Sequence, residues 1–456
     1  MKIAFIAMSG IRACDSELLE LGLTLPGFVE RSKKIASLPS LGLLTLAGMT
    51  PKHHDLQYIE IPDLNALKDI SSKRTIVGLD DTFDLIAISS YSAQIDEAYE
   101  LAMRFRNMGT PVVMGGTHVT ALPHEAQRYC TSVVLGEGEA VWMDVLEDAE
   151  KRQLKLIYDA RKLDYSLADA PMPAFELLDI SKYNRLTVQT SRGCPHDCEF
   201  CAGSNLITNC YKQKPIEKVL AEIDRICEIW PHPFIEFADD NSFVNPTYWK
   251  DLLPKLKKRH IKWFTETDLS VAKDPELLKM MRESGCAQVL IGFESPTEAP
   301  LNGLEQNSNW KLGRFAEYKQ AIRTIQSHGI TVNGCFIVGL DGQTPEVFDD
   351  IYNFVKEAEL FEVQITILTP FPGTALYERL KKSNRLIEPN NWKKCTLFDL
   401  NFRPQNMTQN ELREGFHGLT KKLYSETFTQ WRRDTFKQNL RTIKKKKPLE
   451  EMALAV

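Results

Sequence analysis

The chain has 456 residues, 43% hydrophobic and 26% charged, with a formal net charge of −5. That length is too great for one ordinary core and suits two domains plus a terminal extension, and the mild acidity offers no basic field for nucleic acid. There is no run of about twenty apolar residues, and MKIAFIAMSG passes into IRACDSELLE without a small-residue cleavage site; no membrane span or secretory leader is expected, and the cytoplasm is the expected compartment.

Over residues 1–145 short apolar runs alternate with amphipathic stretches, the pattern of a parallel sheet covered on both faces. Strands are predicted at KIAFIAM, LQYIEIP, LIAISSY, PVVMGG and SVVLGEG, with helices at LGLLTLAGMT, IDEAYELAMRFRNMG and HEAQRYC. This rhythm predicts a flavodoxin-like, doubly wound domain with its ligand crevice at the carboxyl ends of the strands. Those ends carry Ser89, Ser90 and Tyr91, then Gly115, Gly116 and His118, then Gly136, Glu137 and Gly138. Such glycines either admit a bulky ligand to the backbone or make tight turns.

From 146 to 184 the pattern weakens and Pro171 and Pro173 mark a linker. Residues 185–385 form a second α/β stretch with strands at RLTVQTS, FIEFADD, KWFTETD, QVLIGFE, TVNGCFIVGL and VQITILTPF. Six βα repeats are two short of an eightfold barrel, so a partial, open TIM-type barrel is expected. Residues 386–456 read as a polar, helical extension; its basic run Lys444–Lys447 reads as a solvated tail without assigned function.

Ten cysteines at this length are too sparse for a disulfide scaffold. Cys14, Cys130, Cys210, Cys227, Cys286, Cys335 and Cys395 are scattered and read as small buried hydrophobes. Cys194, Cys198 and Cys201 lie together after a predicted strand, where barrel active sites are built. Three thiolates on one loop suit an iron–sulfur cubane with one iron left open to a substrate. A zinc site is the competing reading, with only His196 or Cys210 to supply a fourth ligand.

The spacing Cys194-x-x-x-Cys198-x-Phe200-Cys201 resembles the cluster-binding motif of the radical S-adenosylmethionine (SAM) superfamily. The resemblance implies a 4Fe–4S cluster, reductive cleavage of SAM, and a flavodoxin-like or ferredoxin-like electron donor, with Phe200 packing beside the last ligand. It places Asp240, in Asp239-Asp240-Asn241, at the methionine amino group, Glu294 at the ribose hydroxyls, and Glu266 as a weaker candidate of the same kind. A turn or helix cap is the alternative for the acidic pair. Asn333–Leu340 and Pro370–Thr374 resemble further superfamily landmarks.

The first domain resembles that of the cobalamin-binding subgroup through Pro39–Leu44, Gly115–Pro123 and Gly136–Glu139. This implies that the strand-end glycines admit a corrin and that Ser89 and Ser90 bond its tail. The Asp-x-His-x-x-Gly sequence that supplies cobalt-ligating histidine is absent, so His118 is grouped with the crevice but not assigned to cobalt. The implied activity is cobalamin-dependent methylation of an unactivated centre in a small-molecule or natural-product substrate. Cyclisation, rearrangement or alkyl transfer without cobalamin, and a metal-stabilised ligand-binding module, remain as alternatives.

Overall fold

The computed structural model describes residues 1–9, 13–15, 17–18, 38–62, 64, 83–203, 206–208 and 210–453, the last ten without their side chains. The first sheet contains β1 (Lys2–Met8), β2 (Asp55–Ile61), β3 (Leu85–Ser89), β4 (Val112–Gly115), β5 (Ser132–Leu135) and β6 (Ile157–Asp159). All pair in parallel, in the order β2-β1-β3-β4-β5-β6. Alternation along β1 explains why both faces are apolar: Ile3, Phe5 and Ala7 join one core with Trp142, while Ala4, Ile6 and Met8 join the other.

Two expectations change here. The segment 146–184 is more than a linker, because β6 extends the sheet beyond β5. Its three residues Ile157, Tyr158 and Asp159 are too few for a period to be visible in sequence. The helix expected at HEAQRYC is helical only in the short piece Pro123–Ala126, and a separate short helix, Thr117–Ala121, precedes it, the two meeting at Leu122 before a proline.

The second sheet runs β14-β13-β12-β11-β10-β7, from β7 (Leu186–Val188) through β10 (Phe234–Phe237), β11 (Lys262–Thr267), β12 (Cys286–Glu294) and β13 (Thr331–Val338) to β14 (Glu362–Ile367). Each neighbour pairs in parallel and the end strands do not pair with each other, which gives a six-stranded open barrel. Phe237, Trp249 and Trp263 anchor the helical layer to this sheet, with ring centroids 5.2–5.8 Å apart. Such pairs add about 0.5–1.5 kcal/mol each beyond the area they bury.

The first barrel strand stops earlier than expected. After Val188 the chain turns, and Ser191–Arg192 forms β8, antiparallel to β9 at Lys212–Gln213. This two-strand stem carries the cysteine loop. The C-terminal extension is helical at Gln409–Leu423, started by a Thr408–Glu411 capping box, and again at Glu426–Ala453. It covers the β14 edge, where Arg432 is fully buried 3.5 Å from Glu362. The side chains of Lys444–Lys447 lie outside the described residues. Among the described residues no helix is long and apolar enough to cross a membrane.

Of the scattered cysteines, Cys130, Cys286 and Cys395 are buried and Cys227 and Cys335 partly so, but Cys14 and Cys210 are exposed. Burial of an isolated cysteine depends on tertiary neighbours that its local sequence does not reveal.

Candidate cofactor site

Gly193 links the stem to the cysteine loop with φ +89°, and a Cβ there would stand 2.7 Å from the Cys210 carbonyl. Only glycine fits that crossing. Cys194, Cys198 and Cys201 follow as half-buried thiols outside any disulfide, and the Cys201 N–H donates to the Cys198 carbonyl at 3.0 Å. Burial first, then Asp240 and Cys201, pushes the Cys194 thiol up to about 11 against a lowering bond from the His196 backbone. Burial also raises Cys198 and Cys201, with Lys311 opposing at Cys198.

These three ligand atoms do not form a group lying wholly within 4.8 Å. Thiolates about 2.3 Å from one zinc would sit roughly 3.8 Å apart. The triad is wider than a single-ion site and fits a larger inorganic core. Of the two candidates for a fourth zinc ligand, His196 Nε2 lies 3.4 Å from Asp268 with its ring against Trp310, and Cys210 is exposed.

Later barrel loops clamp this loop from both sides. Arg379 donates to Glu199 at 2.8 and 2.6 Å, the Leu376 N–H donates to the Glu199 carbonyl at 2.8 Å, and Gln306 N–H donates to the Asp197 carbonyl at 3.3 Å. Phe200 packs against the main core.

The two acidic residues after β10 do different work. Asp239 is buried and accepts from the N–H groups of Thr190 and Ser191 at 2.7 and 2.9 Å and from the Ser242 hydroxyl at 3.1 Å, which fixes the start of the stem. Asp240 abuts the cysteine loop: a Cβ on Gly203 would lie 2.5 Å from its Oδ1 and 3.3 Å from Cys201 Sγ. The absence of that Cβ leaves a cradle between carboxylate and thiol.

Glu294 ends β12 at a register shift, with φ +62°, and is buried against Lys311 Nζ at 2.9 Å. A non-glycine residue in that region costs on the order of 1–3 kcal/mol and persists only where surroundings impose it. Here Lys311 also donates to the Gly292 carbonyl at 2.7 Å. Burial works against the Lys311 charge, but Glu294 and Cys198 together raise its pKa.

Glu266 on β11 is open to solvent, yet enclosure by the barrel and then the charges of Glu236, Asp240, Asp239 and Glu294 push it up to about 8. Burial followed by Glu294 and Glu266 also raises Cys335. Asp240, Glu266, Glu294 and Cys335 therefore share one acidic lumen.

At the first domain's strand ends, Ser89 is half-buried and the Ser90 hydroxyl donates to the Tyr91 carbonyl at 3.0 Å. Tyr91 is 68% exposed, but surrounding protein and the carboxylate of Glu236, inside the barrel, raise its phenol pKa. Gly115 and Gly116 lead into the short helix at 117–121, with a Cβ on Gly116 3.4 Å from the Ser89 hydroxyl; Gly136 has φ +79° against the Arg161 backbone, and Gly138 packs near Val134.

Glu137 and His118 spend their polar atoms on protein. Glu137 is buried and accepts from Arg192 at 3.0 Å and Lys212 at 2.6 Å, while Glu139 accepts from Arg192 at 2.7 Å. His118 Nδ1 lies 2.9 Å from the Ser92 hydroxyl and Nε2 3.3 Å from Glu125, which also accepts from Trp392 Nε1 at 3.2 Å. The first network joins the first domain to the barrel and the second joins it to the C-terminal extension at Trp392.

Family models match at two places that this geometry had marked: the radical SAM superfamily over residues 188–355 and the B12 binding domain over 36–146. The chain is a radical SAM enzyme with a B12-binding domain. A domain of unknown function matches 374–455. Among relatives, a bacteriochlorophyllide d C-12(1)-methyltransferase of Chlorobaculum tepidum is 28% identical over 392 residues, covering 84% of this chain and 82% of its own. A hopanoid C-2 methylase of Rhodopseudomonas palustris is 28% identical over 366 residues, covering 78% and 67%. The fold is shared with the methyltransferase TsrM from Kitasatospora setae, solved with cobalamin and a [4Fe-4S] cluster: TM-score 0.65 at 12% identity, covering 94% of this chain and 90% of that one.

In this radical SAM chain, sequence reasoning missed Lys311 and Arg192. Lys311 sits on the isolated turn Trp310–Gly313, where no periodicity points inward. Arg192 precedes the cysteine motif directly, but its partners lie more than fifty residues earlier.

Glu266 supplies a pH test. Its folded pKa lies above its ordinary value of 4.5, so its contribution to stability is full below that value and is lost as pH rises toward about 8. Glu266→Gln should leave the melting temperature of cofactor-free protein unchanged near the ordinary carboxylate pKa and raise it above about pH 8. Thermal unfolding across that range checks the sign.

Proposed function

We propose that this chain transfers a methyl group to an unactivated carbon of a small molecule, using a 4Fe–4S cluster, SAM and cobalamin, with electrons from a flavodoxin-like or ferredoxin-like donor. The observation that carries the reading is Glu137, just after the B12-domain strand β5, which accepts from Arg192 and Lys212 of the very stem that carries the cysteine loop. The strand ends of one domain thus meet the stem of the other's cysteine loop. The methylase relatives described above support the same reaction.

The residues present fit these groups. Cys194, Cys198 and Cys201 would hold the cluster, the lumen edge at Asp240 and Glu294 would hold SAM, and Ser89, Ser90, Tyr91, Gly115, Gly116, Gly136 and Gly138 would border the corrin. When bound, the cluster supplies the electron that breaks a sulfur–carbon bond of SAM and cobalamin serves as methyl carrier. Asp240 would accept hydrogen bonds from an ammonium group and Glu294 from hydroxyls, and Lys311, 2.9 Å from Glu294, fixes that side chain in place. Glu266, protonated at neutral pH, donates.

Asp240→Asn and Glu294→Gln should each retain the iron and weaken SAM binding, since loss of a charge-assisted bond costs about 1.5–3 kcal/mol, or roughly tenfold or more in affinity. Equilibrium binding to reconstituted protein measures this. The reaction itself is tested by product balance. Each methylated product should appear with one S-adenosylhomocysteine and one 5′-deoxyadenosine, and methyl label should enter the product. 5′-Deoxyadenosine formed without S-adenosylhomocysteine, by cobalamin-replete enzyme turning over its substrate, overturns methyl transfer in favour of another radical outcome.

A further inference from the structure

We propose that the first domain carries a divalent transition-metal site built from His53 Nε2, His54 Nε2 and the Glu150 carboxylate, suited to zinc or a zinc-sized ion. It lies at the amino ends of β1 and β2, the opposite end of the sheet from Tyr91, and is independent of the methyl-transfer reading. His53 and His54 directly precede β2, and Glu150 ends the helix Trp142–Glu150.

The distances favour coordination over hydrogen bonding. Both imidazole Nε2 atoms stand 3.4 Å from the same oxygen, Glu150 Oε1, and all three ligand atoms lie within 4.8 Å of one another. A good N–H···O bond spans about 2.7–3.2 Å. Ligands about 2.0–2.2 Å from a tetrahedral zinc lie roughly 3.3–3.5 Å apart, the length of the two edges that meet at Glu150 Oε1.

The site is also half rigid and half open. His54 is 1% exposed at its side chain, with its N–H donating to the Pro51 carbonyl at 3.1 Å and Nδ1 3.1 Å from the Met1 nitrogen, so that Nε2 is the atom turned toward Glu150. His53 and Glu150 are 67% and 48% exposed, which leaves an entry path and room for a water ligand. Trp142 Nε1 donates to the Thr50 hydroxyl at 2.9 Å, so the helix and the histidine turn are already held together. A bound ion would clamp the end of that helix to the start of the sheet.

The test uses full-length protein with its cluster reconstituted and no polyhistidine tag at the amino end. Titration with Co2+ followed by absorption, and with Zn2+ followed by heat, should show one ion per chain beyond the iron, with no sulfur-to-metal band. His53→Ala and Glu150→Gln alter exposed side chains and should lower affinity by at least about tenfold, the minimum typical even of supporting residues, while iron content and SAM cleavage stay unchanged. Zinc should raise the melting temperature of the parent protein alone. Failure to bind a further ion, or equal affinity in both variants, overturns the proposal.

Discussion

Alanine at any one of Cys194, Cys198 or Cys201 is expected to abolish both the cluster and SAM cleavage. Anaerobically reconstituted parent protein should hold about four irons and four sulfides per chain. Each variant should hold only background iron, since two thiolates on a half-buried loop leave the core too few anchors. The thiols are raised by burial and neighbouring carboxylates, so without metal they stay protonated at neutral pH and must release protons when they bind. Reconstitution should therefore become more complete as pH rises. Cys210→Ala and Cys227→Ala, outside the loop, should keep full iron content. Stoichiometric zinc in the parent, or a cluster surviving in all three variants, would refute the assignment.

Much of this architecture was legible in the sequence because the signals were periodic or clustered. The strands from KIAFIAM to VQITILTPF are buried apolar runs at regular intervals, and burial on two faces is what produces such runs. The cysteine loop was legible for a different reason: one small volume must collect three ligands, so local spacing encodes the site. Features made by distant partners were not legible. Tyr158 and its neighbours become a strand only because β5 offers an unpaired edge. Lys311 becomes part of the lumen only because the bulge at Glu294 turns a carboxylate toward it. Glu137 looked like a residue of an open strand end, and only the folded chain sets Arg192 and Lys212 against it.

That last pairing gives the largest expected loss of stability. Arg192 and Lys212 are opposite each other in the stem that carries the cysteine loop, and both reach Glu137 from the first domain. Arg192 also bonds Glu139 and accepts the support of Gln189, whose side-chain oxygen lies 3.0 Å from Nη2. Burial opposes ionisation of Glu139, but Arg192 holds its pKa below the ordinary value. Arg192→Ala leaves two enclosed carboxylates with one lysine between them. Breaking a buried pair from one side costs about 3–5 kcal/mol, mostly as uncompensated charge. Denaturant unfolding of the reconstituted protein should show that loss, and the variant should shed iron more readily because the same arginine fixes the stem. Without Arg192, burial is left to raise the Glu139 pKa, so the deficit is smallest at low pH and grows as pH rises through the carboxylate range. A combined Arg192→Met, Glu137→Gln, Glu139→Gln chain should recover much of the stability. Equal stability of Arg192→Ala and parent near neutral pH would show that the network is solvated and that other contacts hold the domains together.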